Sequence, residues 1–176
     1  MKAIQHLDEL IDILPECSGS DYIKIARNMS IPSEEFEPYA CWSGEEYTRN
    51  CIARTDDYEL LLLCWKEGEE TPIHCHFGQE CWVYAIEGKL EEERYAEDGD
   101  DIVQVDHSIY EEGSLSYMND EMGYHLLRNV APGRSMSLHL YMNPIDQCTV
   151  YDEDKEKFVL KELSYDSIAT EALQDA

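Results

Sequence analysis

The sequence predicts a mainly β protein, a two-sheet sandwich or barrel, that begins with a short helical segment. Apolar residues recur at helical spacing over the first 40 positions, whereas from residue 47 onward short apolar stretches alternate with turn signals. The 176 residues are enough to bury one hydrophobic core. We therefore expect a single domain, 1–176, with a helical cap over 1–40, a β-barrel over 41–165 and a C-terminal tail over 166–176.

The helical cap is predicted to contain three short helices. In the first, apolar residues lie three and four positions apart from Ile4 to Leu14, and Pro15 ends the run. The second begins after Ser20, a residue type that caps helix N termini. The third begins near Pro32, because the acidic residues that follow favour the first turn of a helix.

The barrel is predicted from short strands separated by turns rich in Gly, Asp and Pro. The candidate strands are 47–54, 58–66, 81–87, 89–96, 102–106, 114–118, 125–130, 135–142 and 148–152. Many short strands with regular turns are typical of a sandwich or barrel. The segment from Tyr165 to the end is expected to be a short helix or a frayed end.

Composition excludes several functions. Thirty-nine acidic against 13 basic residues give a formal charge of −26, which repels nucleic-acid phosphates and anionic membranes. No apolar run approaches the roughly 18 residues of a membrane span, and we expect no signal peptide. Seven cysteines without a C-x-x-C pair indicate a reduced, cytoplasmic protein. The charged runs at 91–101 and 152–156 are expected to be solvated surface.

The pair His74-Cys75-His76 is the sharpest chemical signal. Residues i and i+2 of an extended segment point to the same face, so both imidazoles can bind one metal ion. A third ligand must then come from another strand. His125 is the best candidate, because it begins an apolar strand after a turn-like segment.

A fourth ligand is left open by spacing alone. Strict alternation from His76 turns Glu80 to the same side and Cys81 to the other. Gly78 lies between them, however, and glycine often marks a bulge that breaks alternation. Spacing therefore allows either a three-histidine site or a site of three histidines and Glu80.

These histidines belong to a longer pattern. It runs Gly68-x5-His74-x-His76-x4-Cys81-x6-Gly88 and continues with His125-x3-Asn129. The pattern resembles the two metal-binding motifs of the cupin superfamily. A cupin is a double-sheet β-barrel, or jelly roll, which agrees with the strand-rich region. The resemblance implies a cupin barrel that holds a metal ion.

Further segments narrow the resemblance. In chain order they are Tyr47-Thr48-Arg49-Asn50, Leu63-Cys64-Trp65, Asn119-Asp120-x2-Gly123 and Ser137-Leu138-His139-Leu140-Tyr141. Together with the histidine motifs they closely resemble the cysteine dioxygenases, the thiol dioxygenase branch of the cupins. The resemblance covers roughly residues 40–152. It implies an Fe(II) enzyme that oxidises L-cysteine with O2 to cysteine sulfinic acid, and a monomer with no partner beyond its small thiol substrate and O2.

The resemblance also assigns the metal and substrate ligands. His74, His76 and His125 match the three-histidine iron site, which favours that set over one including a carboxylate. Arg49 matches the residue that binds the substrate carboxylate, with Tyr47 beside it. Three neutral imidazoles leave Fe(II) its full charge and open positions for a thiolate and O2. The planar fork of an arginine meets a carboxylate with two parallel hydrogen bonds.

Three further residues match the catalytic side of the family's site. Tyr141 matches the active-site tyrosine, and His139 matches its hydrogen-bonding partner two positions away. Cys81 matches the cysteine that becomes cross-linked through sulfur to that tyrosine in the animal enzymes. Cys75 departs from the Asp of many relatives and is expected to point away from the metal.

Three other functions fit part of the pattern. A sibling enzyme acting on 3-mercaptopropionate tends to carry Gln at the position of Arg49, so the arginine favours an amino-acid substrate. A non-catalytic cupin that senses a metal or ligand needs the histidines but gives no reason for Arg49 and Tyr141 together. A zinc hydrolase also suits three histidines and a water, although no general base is arranged for it.

Overall fold

A computed structural model describes residues 2–76, 78–99 and 101–169, and twelve strands in these ranges form two sheets. The strands are β1 (Thr48–Arg54), β2 (Tyr58–Trp65), β3 (His74–Cys75), β4 (Cys81–Glu87), β5 (Lys89–Asp98), β6 (Asp101–Glu111), β7 (Leu115–Met118), β8 (Tyr124–Asn129), β9 (Ser135–Met142), β10 (Gln147–Asp152), β11 (Lys157–Glu162) and β12 (Ser167–Ile168). The predicted mainly β, two-sheet class is confirmed.

The two sheets contain six strands each. The first, called the front sheet here, has the order β12-β1-β2-β9-β4-β7, and the second, the back sheet, has the order β11-β10-β3-β8-β5-β6. Neighbours pair antiparallel except β12, which runs parallel to β1. A core cluster that includes Leu61, Leu63, Leu127 and Val150 joins residues of both sheets. The space between the sheets is therefore the barrel interior.

The chain before the first strand is helical, as predicted. It contains α1 (Leu7–Ile13) and α2 (Asp21–Asn28). The third predicted helix is reduced to two turns of 3-10 helix, Ser33–Glu35 and Glu37–Tyr39, with a proline inside the second. No helix among the described residues has the length and apolar character needed to cross a membrane.

The helical cap covers the outer face of the front sheet. In β2, Leu60 and Leu62 pack in one cluster with helix residues such as Leu10 and Ile25. Their neighbours Leu61 and Leu63 point into the barrel interior. The unbroken apolar run of β2 follows from this arrangement, because a strand buried on both faces needs apolar residues at every position.

The structure differs from the sequence prediction mainly at short or polar strands. The strands β3, β11 and β12 were not predicted, and β6 extends five residues beyond its expected end at 106. The expected C-terminal helix or frayed end is wrong for Ser167–Ile168, which pair with Asn50 and Cys51 of β1. The remainder of that tail, 170–176, lies outside the described residues.

Candidate metal and substrate site

The sequence-predicted site residues meet in the barrel interior. The three candidate metal ligands stand on or beside strands of the back sheet, and the remaining candidates stand on or beside strands of the front sheet. One cavity is lined by Tyr47, Arg49, His74, His76, His125, His139 and Tyr141. The cavity is narrow, with a volume of about 30 Å³. It suits a small ligand.

The histidine cluster is built by pairing a two-residue strand with a longer one. His74 of β3 lies directly opposite His125 of β8, and His76 follows two residues after His74. The Nε2 atoms of His76 and His125 are 3.1 Å apart. One ligand nitrogen from each of the three residues lies within 4.8 Å of the others. The arrangement is compact enough for one ion to be shared.

Hydrogen bonds leave ring nitrogens available for a metal. The carbonyl oxygen of Pro72 accepts from Nδ1 of His74 at 2.9 Å, and Glu92 accepts from Nδ1 of His125 at 2.7 Å. With Nδ1 protonated, Nε2 of each ring presents its lone pair. Burial, reinforced by the charge of His125, lowers the pKa of His74 to about 3 and that of His76 well below its usual value. These rings are therefore neutral at physiological pH, and the neutral imidazole is the form that binds a metal. The residues fit a metal ion.

Glu92 is the main site residue that the sequence prediction missed. The run 91–101 was expected to be solvated, which is wrong for Glu92: its side chain is fully buried. Besides His125, it accepts hydrogen bonds from Arg94 at 3.0 Å, Tyr110 at 2.7 Å and Ser116 at 3.0 Å. Alternation along β5 turns Leu90, a core residue, and Glu92 to the same face, and this was the available signal.

The open question of a carboxylate ligand is answered by position. Glu80 is exposed, whereas Cys81 is fully buried, and Glu80 is not part of the cluster. Gly78 adopts a positive φ of 85°, which allows the chain to turn between β3 and β4. The carboxylate of Asp120 accepts from the backbone N–H groups of His76, at 2.9 Å, and Gly78. Asp120 thereby fixes the turn that carries His76.

Arg49 has an unusual environment for a charged residue. It is 8% exposed on β1, and its Nη1 donates to the carbonyl oxygen of Ser164 at 3.1 Å. Its Nη2 is buried without a hydrogen-bond partner among the described residues. A buried donor left unpaired costs about 1–3 kcal/mol, so this nitrogen is a ready site for an anionic acceptor. Tyr47 stacks on Trp65 with ring centroids 4.7 Å apart and walls the cavity beside it.

The front sheet also brings together the three catalytic candidates. Cys81 of β4 lies directly opposite Tyr141 of β9, and the Sγ atom of Cys81 is 4.0 Å from Nδ1 of His139. Burial raises the pKa of Cys81 and of Tyr141 above their usual values. Both groups are therefore protonated at neutral pH.

The predicted hydrogen bond between His139 and Tyr141 is wrong. The two rings are roughly parallel, with centroids 6.2 Å apart. Nε2 of His139 instead contacts the Ser137 hydroxyl at 2.8 Å, and that hydroxyl accepts from the indole N–H of Trp65 at 2.9 Å. The reason is that His139 and Ser137 are also two residues apart on one face of β9, and Ser137 lies closer to the imidazole edge.

Two facing antiparallel sheets with this cluster between them define a cupin with a candidate three-histidine metal site. Solved structures of the same fold include a Klebsiella pneumoniae protein with a double-stranded β-helix domain, at TM-score 0.51 and 17% identity, covering 61% of this chain and 80% of that one. KdgF from Halomonas sp. is similar at TM-score 0.50 and 18% identity, covering 62% and 92%.

The chain belongs to the cysteine dioxygenase type I family, whose model matches residues 3–154. Cysteine dioxygenase type 1 of Homo sapiens is 28% identical over 158 residues, which cover 84% of this chain and 79% of the human protein. The protein of the same name from Danio rerio is 27% identical over 161 residues, with the same shares covered. Family membership, the cupin fold and the histidine cluster together support an enzyme of the thiol dioxygenase type.

Proposed function

We propose that this protein is an Fe(II)-dependent dioxygenase that oxidises L-cysteine with O2 to cysteine sulfinic acid. One observation carries the proposal: the three-histidine cluster and the buried Nη2 of Arg49, which has no partner among the described residues, line the same narrow cavity. A small molecule with a thiol at one end and a carboxylate at the other complements both. The human and zebrafish relatives are named cysteine dioxygenase type 1, which agrees with this substrate.

In this proposal the two ends of the substrate contact opposite walls of the cavity. Iron held by His74, His76 and His125 would offer positions for the thiolate and O2, and would favour the ionised thiol. On the opposite wall, the Arg49 guanidinium binds the carboxylate through its free Nη2 and orients the thiol toward the histidines. Tyr47, stacked on Trp65, limits how far the substrate backbone can move.

Tyr141 and His139 are assigned hydrogen-bonding and positioning roles and do not bind the substrate carboxylate. The pKa of Tyr141 is raised by burial, so its phenol keeps its proton and can donate a hydrogen bond into the cavity. Burial lowers the pKa of His139 to about 3, so the ring is neutral and can contact the Ser137 hydroxyl and the Cys81 thiol together. His139 would thus hold the wall beside Tyr141 in one arrangement.

We also propose the cross-link between Cys81 and Tyr141, which their direct cross-strand pairing supports. The step forms a bond from Sγ to a ring carbon. It removes the thiol hydrogen and one ring hydrogen. Their two protons and two electrons reduce O2 to H2O2. An intact mass lower by two hydrogen atoms, and restored to the sequence mass in Cys81→Ala after correction for the substitution, would support it; an unmodified mass after turnover would contradict it.

The decisive test is oxygen uptake by anaerobically Fe(II)-loaded protein, with L-cysteine and 3-mercaptopropionate compared and products weighed. We expect uptake with L-cysteine and a product heavier by two oxygen atoms. Preference for 3-mercaptopropionate would keep the iron site but overturn the substrate. Iron binding without uptake for either thiol would favour a metal-binding cupin that senses rather than catalyses.

The substrate role of Arg49 has its own test. Arg49→Lys keeps the charge but loses the planar fork, so the KM for L-cysteine should rise about tenfold or more. Arg27→Lys is the matched control, because Arg27 is exposed on α2. An unchanged KM in Arg49→Lys would remove Arg49 from the proposed site.

The proposal includes a monomer that works in the cytoplasm. All seven cysteines are free thiols, which agrees with a reducing compartment. The monomer is what the resemblance to the cysteine dioxygenases implies. A molar mass of one chain by light scattering is expected, and a stable dimer would contradict this part.

A further inference from the structure

A second buried acid lies beside Arg49. Glu59 of β2 is fully buried, and its Oε2 is 3.9 Å from Nη2 of Arg49. Its other oxygen, Oε1, accepts from Arg54 at 3.2 Å and from the hydroxyl of Tyr165. Arg54 is held in turn by two parallel hydrogen bonds to Asp146, at 2.9 and 3.0 Å. Glu59 is therefore anchored on the side away from Arg49.

The distance between Glu59 and Arg49 is informative. At 3.9 Å the two groups attract each other but are too far apart for a hydrogen bond. An arginine and a carboxylate this close normally shorten the contact to about 2.8 Å, because a charge-assisted hydrogen bond is strong in a buried site. Both oxygens of Glu59 are restrained: Tyr165 and Arg54 donate to Oε1, and the backbone N–H of Ile145 contacts Oε2 at the longer distance of 3.5 Å.

We propose that Tyr165 is a positioning residue: it holds Glu59 away from Arg49, so that Nη2 of Arg49 stays free for the substrate carboxylate. The inference rests on the proposed function, because it assigns Arg49 to that carboxylate. It extends the site to a segment beyond residue 154, where the match to the family model ends. Tyr165 does not touch the substrate; it acts through Glu59.

The segment around Tyr165 is built to keep the ring in place. The backbone N–H of Asp166 donates to the carbonyl oxygen of Arg49 at 2.8 Å, and the Asp166 carboxylate accepts from the Arg49 N–H at 2.8 Å. The Tyr165 ring lies 5.6 Å from the guanidinium carbon of Arg49 and 5.8 Å from that of Arg54. Cation–π attraction to both arginines holds its hydroxyl on Glu59.

Tyr165→Phe removes one oxygen and keeps the ring between the arginines. Oε1 of Glu59 then keeps Arg54 but loses its second donor, so the carboxylate is freer to close the 3.9 Å gap to Nη2 of Arg49. A substrate carboxylate would have to compete with Glu59 for that nitrogen. We expect the KM for L-cysteine to rise about tenfold, the factor expected when one charge-assisted hydrogen bond is contested, while kcat changes little.

The double variant separates positioning from a structural role. In Tyr165→Phe combined with Glu59→Gln, the competing charge is gone, so the KM should return to within about threefold of the starting protein. A merely structural defect would be deepened by the second substitution. Tyr151→Phe is the matched control, because it makes the same deletion on β10, where the ring packs on Phe158.

A crystal structure of Tyr165→Phe tests the proposal without any activity. The expected result is a direct contact below about 3.2 Å between Glu59 and Arg49. A KM equal to that of the starting protein, or a Glu59–Arg49 distance still near 3.9 Å, overturns the proposal. If urea titrations show that the double variant is not folded, the crystal structure of the single variant decides. Failure of the starting protein to oxidise L-cysteine would refute the proposed function instead, and the distance would still be measured.

Discussion

Replacing Glu92 by Gln tests how the metal site is held from behind. The carboxylate faces only donors: His125 on one oxygen, and Arg94, Tyr110 and Ser116 on the other. Glutamine has the same shape, but its amide nitrogen is a donor and accepts nothing. If the amide nitrogen faces Arg94, two donors meet; if it faces His125, Nδ1 must accept, and Nε2 then carries the proton and loses its lone pair for a metal.

The size of the effect follows from two independent arguments. Breaking a buried ion pair by removing one partner costs about 3–5 kcal/mol. Burial by itself raises the pKa of Glu92, but the hydrogen bond and charge of His125, the hydrogen bond of Tyr110 and the charge of Arg94 lower it from 4.5 to about 2. That difference favours the ionised, folded form by about 3 kcal/mol, at 1.36 kcal/mol for each tenfold change in the acid dissociation constant. We expect Glu92→Gln to lower the free energy of unfolding by about 3 kcal/mol.

The assay is urea unfolding of the metal-free protein at neutral pH, followed by anaerobic Fe(II) titration. Affinity for the ion should fall about 10–100-fold, because the partner that orients His125 is weakened. Glu91→Gln is the control: the neighbouring acid points to the other face and bonds His107 and Arg128, so its loss should cost under about 1 kcal/mol. Equal stability and equal affinity in Glu92→Gln would refute the reasoning.

Three further outcomes are expected, the first of them for the metal-free protein. Burial lowers the pKa of His74 and His139 from 6.5 to about 3, so their stabilisation is full above pH 6.5 and declines as pH falls toward 3. Unfolding free energy should drop by up to about 1.4 kcal/mol per pH unit for each ring, and an unchanged urea midpoint between about pH 7 and pH 5 would contradict this. Gly123→Ala should cost over about 1 kcal/mol and reduce iron binding, because φ is +91° and the added Cβ would lie 2.3 Å from the carbonyl oxygen of Tyr95; a thermal melt and iron titration like those of the starting protein would argue otherwise. Leu62→Ala should cost about 2–5 kcal/mol in urea, since Leu62 is fully buried, and a loss under about 1 kcal/mol would mean the helical cap closes the cavity.

The sequence predicted those parts of the site that depend on local spacing. His74 and His76 share a face because they are two positions apart in an extended segment, His125 was chosen because it begins an apolar strand, and the family resemblance alone indicated Arg49. The apolar runs likewise predicted β2 and β9 almost to the residue. In these cases the side-chain pattern itself encodes the burial.

The rest depends on contacts that no local pattern encodes. Glu92 and Glu59 are two among 39 acidic residues, and only the donors on neighbouring strands distinguish them from solvated ones. The strand β11 is polar and β12 is very short, so neither has a recognisable strand pattern. They form strands because β10 and β1 offer free edges. His139 contacts Ser137 rather than Tyr141, and small differences in distance along one face of β9 decide between these two partners.

The division of the site between two sheets has a consequence for how its selectivity can change. Under the proposed assignment, the thiol end of the substrate is read by the back sheet and the carboxylate end by Arg49 of the front sheet. Core side chains on facing strands, such as Leu63 of β2 and Leu127 of β8, then help to set the separation of the two ends. The spacing of the two sheets would therefore limit the length of the substrate. A thiol longer by one methylene would fit only if the core side chains occupied a different volume.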